Sequence, residues 1–372
     1  MCADTAGRRS SGVPRRWMPC AGLLAALAGH AEAQEWTWQS IDLHPPGVYQ
    51  SEAYAAAERL AGGWLYVGDD QDLKGPALWI APVLDLVLLL PDGAVDGWVY
   101  GASDGLQVGH VLFASTRPAL WLGTAESYID LFPGGNYTSG VLEDVSGNQI
   151  AGRVGVGGNS HAGLWVLDEP VVFVDLHPAG ALRSSALATD GVKQGGVARL
   201  SGSNVSTAAM WHGSPGSFVN MHPPVARDSA IWGMAPGVQV GKALIEDILR
   251  DHAILWHDTP ESWIDMHPPQ HDGKHSYLYA TTGTMHVGRS NGRAGYWLGD
   301  DPASFYDLHV HAPPGALGSG AYDVAVHNGK VYIAGYGIFG TQSRAVVWIG
   351  TPIAEGGPPG QRAPSKATRW PP

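Results

Sequence analysis

His161-Ala162-Gly163-Leu164-Trp165 and, ten positions after the tryptophan, Asp175-Leu176-His177-Pro178 decide the fold, because the pair recurs along the whole chain. The tryptophan returns as Trp79, Trp121, Trp211, Trp256, Trp297 and Trp348, each after one or two apolar or small residues. The acidic motif returns at Asp42, Asp130, Asn220, Asp265 and Asp307, with a degenerate copy at Leu88-Leu89-Leu90-Pro91. Successive acidic positions (42, 88, 130, 175, 220, 265, 307) lie 46, 42, 45, 45, 45 and 42 residues apart. Two further marks fall between them in fixed order. One is Gly68, Gly109, Gly152, Gly196, Gly241, Gly288 and Gly335; the other is Ser51, Gly97, Ser139, Ser184, Ser229, Ser276 and Ser319.

Each mark lies in a short run rich in β-branched or aromatic residues and bounded by Gly, Pro, Ser or Asn, such as Leu106–Val111 and Ser127–Leu131. Such runs read as strands. A unit of about 45 residues holds four of them, the size of one propeller blade. Trp36 to Gly350 is 315 residues, seven units of 45, which leaves no length for a second domain. Each unit has apolar faces it hides only against a neighbour. A closed ring removes the free ends that a linear stack would have to cap. The fold expected is therefore an all-β, seven-bladed β-propeller over residues 34–352, with a β-sandwich or β-solenoid as rivals. The array begins on an acidic-motif strand and ends on a tryptophan strand. Those two strands either complete one blade together or leave every blade a continuous segment, and the spacing allows both.

Composition agrees with many turns between short strands. The 372 residues include 51 Gly and 27 Pro, with only 15% charged. Helix interiors disfavour both residues, whereas turns use them. With 44% hydrophobic residues and 15 Trp, the chain is not of disordered composition. The first 33 residues read as a secretory signal: Arg8, Arg9, Arg15 and Arg16, an apolar run from Trp17 to Leu27 too short to span a bilayer, and Ala31-Glu32-Ala33 as the cleavage site. Cleavage would remove Cys2 and Cys20, leaving no disulfide or cysteine metal site. It would also remove Asp4, Glu32 and four arginines, so 34 acidic and 22 basic residues become 32 and 18, a net charge of −14. That charge opposes nucleic acid and anionic lipid as partners. Residues 353–372 read as a disordered Pro/Gly-rich tail. A secreted or periplasmic monomer is expected.

The motifs resemble those of secreted bacterial tandem-repeat proteins in the style of HAF-type repeats. The resemblance rests on Asp175-Leu176-His177-Pro178, Gln239-Val240-Gly241 and His161-Ala162-Gly163-Leu164-Trp165, and it covers residues 36 to 350. Leu88 and Phe132 depart from the pattern. Such families are largely without an assigned activity, so the resemblance implies an architecture and carries no catalytic residue.

Three groups are candidates for chemistry. His44, His177, His222, His267 and His309 each lie two residues after an Asp or Asn, so both side chains leave one strand face. At equal radius in a propeller they would offer imidazole and carboxylate to a divalent metal, although repeated residues are more often structural. Asp70 and Asp72, in Asp69-Asp70-Gln71-Asp72, are an acidic loop that could hold calcium. Lys74 stands where an oxygen ligand is wanted, which favours a solvated turn. Glu246, Asp247, Asp251 and His252, with His271, Asp272, His275 and His286, break the repeat and could supply paired acids for glycoside chemistry. No nucleophile elbow, zinc-binding helix or phosphate loop is present.

The function expected is a binding or interaction module for a carbohydrate, a peptide or a cell-surface protein, with no resident cofactor and a divalent metal as an option. The alternatives are a carbohydrate-active hydrolase or lyase with its site at the channel mouth, and a structural cell-surface repeat protein. An enzyme would gather off-repeat His, Asp, Glu or Arg in the channel. A structural protein would plug it with apolar side chains.

Overall fold

The computed structural model describes residues 35–57, 60–67, 73–80, 85–103 and 105–353. The signal segment 1–33, Gly68, Asp70, Asp72 and all of the tail except Ile353 lie outside the described residues. Among those described, the strands form seven antiparallel sheets of four. Blades 1 to 6 are consecutive segments, residues 50–88, 96–130, 139–175, 181–220, 226–265 and 276–307. Blade 7 takes three strands from residues 318–352 and its fourth from Trp36–Asp42, which runs antiparallel to Gln342–Pro352 with Trp38 opposite Gly350. The two ends of the array thus complete one blade. Of the two closures the spacing allowed, this is the one in which the chain ends share a blade.

First strands of successive blades touch one another in order, and the first strand of blade 7 touches that of blade 1, so the ring closes. Each first strand lies on the axis and runs from the end that carries the blade-to-blade connections, here the upper end. The turns after first strands and the links after third strands lie at the lower end. Among the described residues no helix is long and apolar enough to cross a membrane.

The core lies between blades. Trp79, Trp121, Trp165, Trp211, Trp256, Trp297 and Trp348 are all within 1% of complete burial. Trp211, for example, packs with Ala151, Ala162, Leu164 and Leu176 of blade 3 and Ala186, Ala198 and Ala209 of its own blade. The indole N–H of Trp165 donates to the Leu131 carbonyl at 2.8 Å, whereas those of the other six have no partner. The balance still favours tryptophan. Burying roughly 150–250 Å2 at about 25 cal/mol per Å2 is worth about 4–6 kcal/mol. A stranded N–H costs roughly 1–3 kcal/mol.

The recurring glycine has a steric cause. In every blade the first strand carries one extra residue, a β-bulge, opposite the second strand. The second-strand residue facing the bulge is Gly63, Gly109, Gly152, Gly196, Gly241, Gly288 or Gly335. A Cβ there would sit 1.8–2.3 Å from a first-strand carbonyl oxygen. The register corrects two sequence assignments. In blade 1 the mark is Gly63, not Gly68, and in blade 3 the serine mark is Gly140, not Ser139. Gly63 follows Ser51 by 12 residues and Gly152 follows Gly140 by 12, the spacing that also separates the marks in blades 2, 4, 5 and 6.

Gly288→Ala should therefore lower the melting temperature sharply, since its Cβ would lie 1.9 Å from the Tyr277 oxygen. Gly216→Ala, where nothing lies within 4 Å, should stay within about 0.5 kcal/mol of the parent by chemical denaturation. Equal effects would refute the steric reading.

Candidate functional site

The histidines expected to form a ring do not gather; each is used at its own blade junction. Nδ1 of His44, His177, His222, His267 and His309 meets Oγ of Ser51, Ser184, Ser229, Ser276 and Ser319 at 2.7–2.9 Å. Each serine Oγ in turn accepts the backbone N–H of Ala345, Ala162, Ala208, Ala253 or Ala294, from the third strand of the preceding blade, at 2.8–2.9 Å. A serine hydroxyl has one hydrogen, and its neighbour here is the imidazole. Nδ1 is therefore the acceptor and the ring is neutral. Nε2–H then donates to the carbonyls of Ala181, Ala226 and His271 from His177, His222 and His267. The aspartate of the motif caps the histidine's own N–H, as Asp175 Oδ1 does for His177 at 2.9 Å.

At two junctions the relay is missing and so is the group it serves. The residue three before the tryptophan is Pro76 or Pro118, which has no N–H. The histidine position is then Leu90 or Phe132, and the serine position is Gly97 or Gly140. A Cβ on either glycine would press on the proline Cδ, at 3.1 and 2.9 Å.

The off-repeat residues are likewise held in local pairs. Asp251 holds Lys242 at 2.8 Å, Tyr277 at 3.0 Å and His275 at 3.3 Å, and Lys242 also reaches Asp228 at 2.7 Å. His252 pairs with Asp265 at 2.8 Å and stacks on His267, and Glu246 lies 3.5 Å from Arg227. His271 bonds Ser290 and His286 bonds Thr281, both at 2.7 Å. Asp247 is exposed. Among the described residues no group of three or more His, Cys, Asp or Glu is placed to hold a metal ion.

The residues that do converge are the bulge residues, which the sequence reading missed. Tyr54, Tyr100, Glu143, Leu187, Trp232, Tyr279 and Tyr322 stand three positions after the serine mark, one per blade, and together line an axial cavity of about 220 Å3. Five are aromatic and their rings are linked. Trp232 stacks on Tyr279 at 5.1 Å, Tyr279 meets Tyr322 edge-on at 5.3 Å, and Tyr322 stacks on Tyr54 at 4.8 Å. Tyr54 then meets Tyr100 at 5.8 Å and Trp98 at 5.9 Å. The aromatic wall covers blades 5, 6, 7, 1 and 2. Blades 3 and 4 supply Glu143, held in an ion pair by Arg153, and Leu187.

The channel differs along its length. Above the rings, Tyr54 Oη donates to Glu52 at 2.7 Å, Arg289 lies over Tyr277 at 4.8 Å and donates to Tyr336 Oη at 2.9 Å, and His110 stacks on Tyr100. Burial, with Arg153 adding to it, holds the His110 imidazole down at about 4. Burial also raises Tyr54, Tyr279 and Tyr322 and pushes Tyr100 up to about 12, so all four hydroxyls are neutral donors. Below the rings lie Asp144 and Asp323. Each caps its own successor's N–H and one N–H of the next blade, Thr189 and Ala56 respectively, at 2.8 Å. Burial raises Asp144 to about 6. Asp323 is raised to about 7, by burial first and then by the Asp144 charge.

No family model matches the chain, and no curated protein matches it. Solved structures match in fold. The β-propeller domain of the Trilobed protease from Pyrococcus furiosus, described as having an open velcro topology, aligns with a TM-score of 0.54 at 10% identity, over 82% of this chain and 93% of that one. Trypanosoma rangeli sialidase aligns at 0.46 and 10% identity, over 84% and 57%. TolB from Acinetobacter baumannii aligns at 0.41 and 13% identity, over 59% and 53%. The chain spans little more than half the length of these last two. At such identities the likeness shows the fold alone, a β-propeller.

The junctions make two predictions. Ala162→Pro alone should destabilise, because the ring would press on Ser184 and leave the relay without its donor. Adding His177→Leu and Ser184→Gly should recover much of the loss. A mutant cycle in urea with no coupling among the three would refute the reading. The second concerns pH. All five relay histidines lie below 6.5 in the folded state, burial being the first cause. The unfolded chain therefore takes up protons first as pH falls. The stability they contribute is whole above about 6.5 and is lost on going down through their folded values. The melting temperature of the parent minus that of the Pro-Leu-Gly triple variant, in which the opposing titration of Asp144 and Asp323 cancels, should be level from pH 8 to 7 and fall below 6.5.

Proposed function

We propose that this protein is a binding module that works outside the cytoplasm and takes its ligand into the axial channel. The observation that carries the reading is the chemistry of the bulge positions. The tryptophan and the glycine opposite the bulge repeat in all seven blades, whereas the seven bulge side chains vary and form a one-sided aromatic wall with Glu143 and Leu187 opposite. Packing alone would favour repetition, as it does for the seven tryptophans. Half-buried aromatic rings beside neutral hydroxyl donors suit a ligand with flat apolar faces and polar edges. A cavity of about 220 Å3 is below the roughly 300–1,000 Å3 usual for a drug-sized ligand, so it suits one sugar ring or one peptide side chain. Among the carbohydrate, peptide and cell-surface partners expected, the ligand is thus a terminal group of a carbohydrate or peptide. The leader-like segment supports export.

The hydrolase alternative has one observation in its favour: Asp144 and Asp323 titrate at about 6 and 7, within the range of a general acid. Both oxygens of each, however, accept backbone N–H groups.

Glycan and peptide arrays should reveal ligands of the parent protein that Trp232→Ala binds at least tenfold more weakly, with melting temperature near the parent's. Undiminished binding by that variant would place the site elsewhere. Release of cleaved product by the parent, lost in Asp144→Asn, would replace the reading with the enzyme.

A further inference from the structure

We propose that the lower compartment of the channel is built for an organic ammonium group, an inference that rests on the channel being the binding site. The compartment is lined by Trp232, Tyr279, Tyr322 and Tyr54 together with Asp144 and Asp323. Neither carboxylate has a cationic partner among the described residues: their bonds go to backbone N–H groups of Thr189, Val145, Ala56 and Val324. The carboxylate of the bulge itself, Glu143, is by contrast paired with Arg153. Both acids line the same space, and the Asp144 charge disfavours ionisation of Asp323. A cation entering between them would relieve that repulsion, and ring faces attract cations through their quadrupoles.

The approach has the same sign. The described loops of the lower face hold Glu126, Asp168, Glu169, Asp190, Asp258, Glu261, Asp300 and Asp301, mostly in the links after third strands, against Lys193, itself 2.7 Å from Asp258, and the exposed Lys330 beside the blade 7 turn. Such a face concentrates cations and repels anions. The channel thus selects by charge at one end and by ring contact in the middle.

The test uses the full chain and calorimetric titration with choline, n-butylammonium and glucosamine, which stand for a quaternary head, a lysine end and an amino sugar. The neutral control for choline is 3,3-dimethylbutan-1-ol. Choline or n-butylammonium should bind at least tenfold more tightly than the neutral control. Glucosamine binding more tightly than either would assign the ammonium to an amino sugar. Asp144→Asn with Asp323→Asn should weaken the preferred cation at least tenfold. Should that variant fold poorly, Leu187→Lys, which sets the protein's own ammonium in the cavity, should abolish binding without touching the acids. Equal binding of the neutral control, no binding of any of the three cations, or cation binding undiminished by Leu187→Lys overturns the inference. If the cations fail while an array ligand still depends on Trp232, the ammonium inference falls and the channel reading stands. If cations bind but Trp232→Ala leaves them unaffected, both fall.

Discussion

A second-strand Cβ and the carbonyl of the bulged first strand cannot share the same space, and the architecture follows from that collision. Glycine opposite each bulge lets the strands approach to where a Cβ would lie 1.8–2.3 Å from an oxygen. The bulge then holds one residue more than its partner strand, and that residue's side chain is turned out of the pleat toward the axis. A fixed glycine therefore creates a free position. Blade after blade the glycine stays and the bulge residue changes, from Tyr54 and Tyr100 to Glu143, Leu187, Trp232, Tyr279 and Tyr322.

The blade junctions solve a second constraint in two ways. A third-strand N–H faces the next blade in a buried setting, where an unpaired donor costs roughly 1–3 kcal/mol. Five junctions answer with a serine, itself satisfied by a neutral histidine. Two delete the donor by using Pro76 or Pro118, and then dispense with both serine and histidine. The carbonyl of the same residue is used in either case: Ala162 accepts from Leu176 and Pro76 accepts from Leu89. The first solution depends on protonation state and the second does not, so acid sensitivity is unequal round the ring.

The fold was legible because its packing rules repeat. Trp and Gly each serve one geometric need seven times and the Asp-Leu-His-Pro motif serves its own five times, so their spacing exposes the blade. Gly68 was mistaken for the mark because Leu60-Ala61-Gly62-Gly63 offers other glycines nearby, and Ser139 was chosen for its identity although Gly140 has the place. The spacing of 12 residues would have settled both. It fails only in blade 7, where Ser319 and Gly335 are 16 apart because the hairpin arms are longer. The channel was not legible for the opposite reason. Its residues share a position and not an identity, so alignment of what repeats hides them. Proline at two junctions was visible beside Leu90 and Phe132, and the shared departure of three residues was the sign that the histidines serve packing.

Ring closure adds a consequence that no single blade has. Because Trp36–Asp42 completes blade 7, every first strand has a neighbour on both sides, and seven bulges meet on one axis. Residues far apart in sequence then act on one another: Asp323 caps Ala56 across 267 positions, and the Asp144 charge is felt at Asp323 from three blades away round the ring. A lining assembled this way can change at one blade without disturbing the next, since glycine and tryptophan hold the frame. The aromatic arc over five blades and the acid pair beneath it therefore reflect a choice made at the bulge positions. The frame itself requires only that some residue stand there.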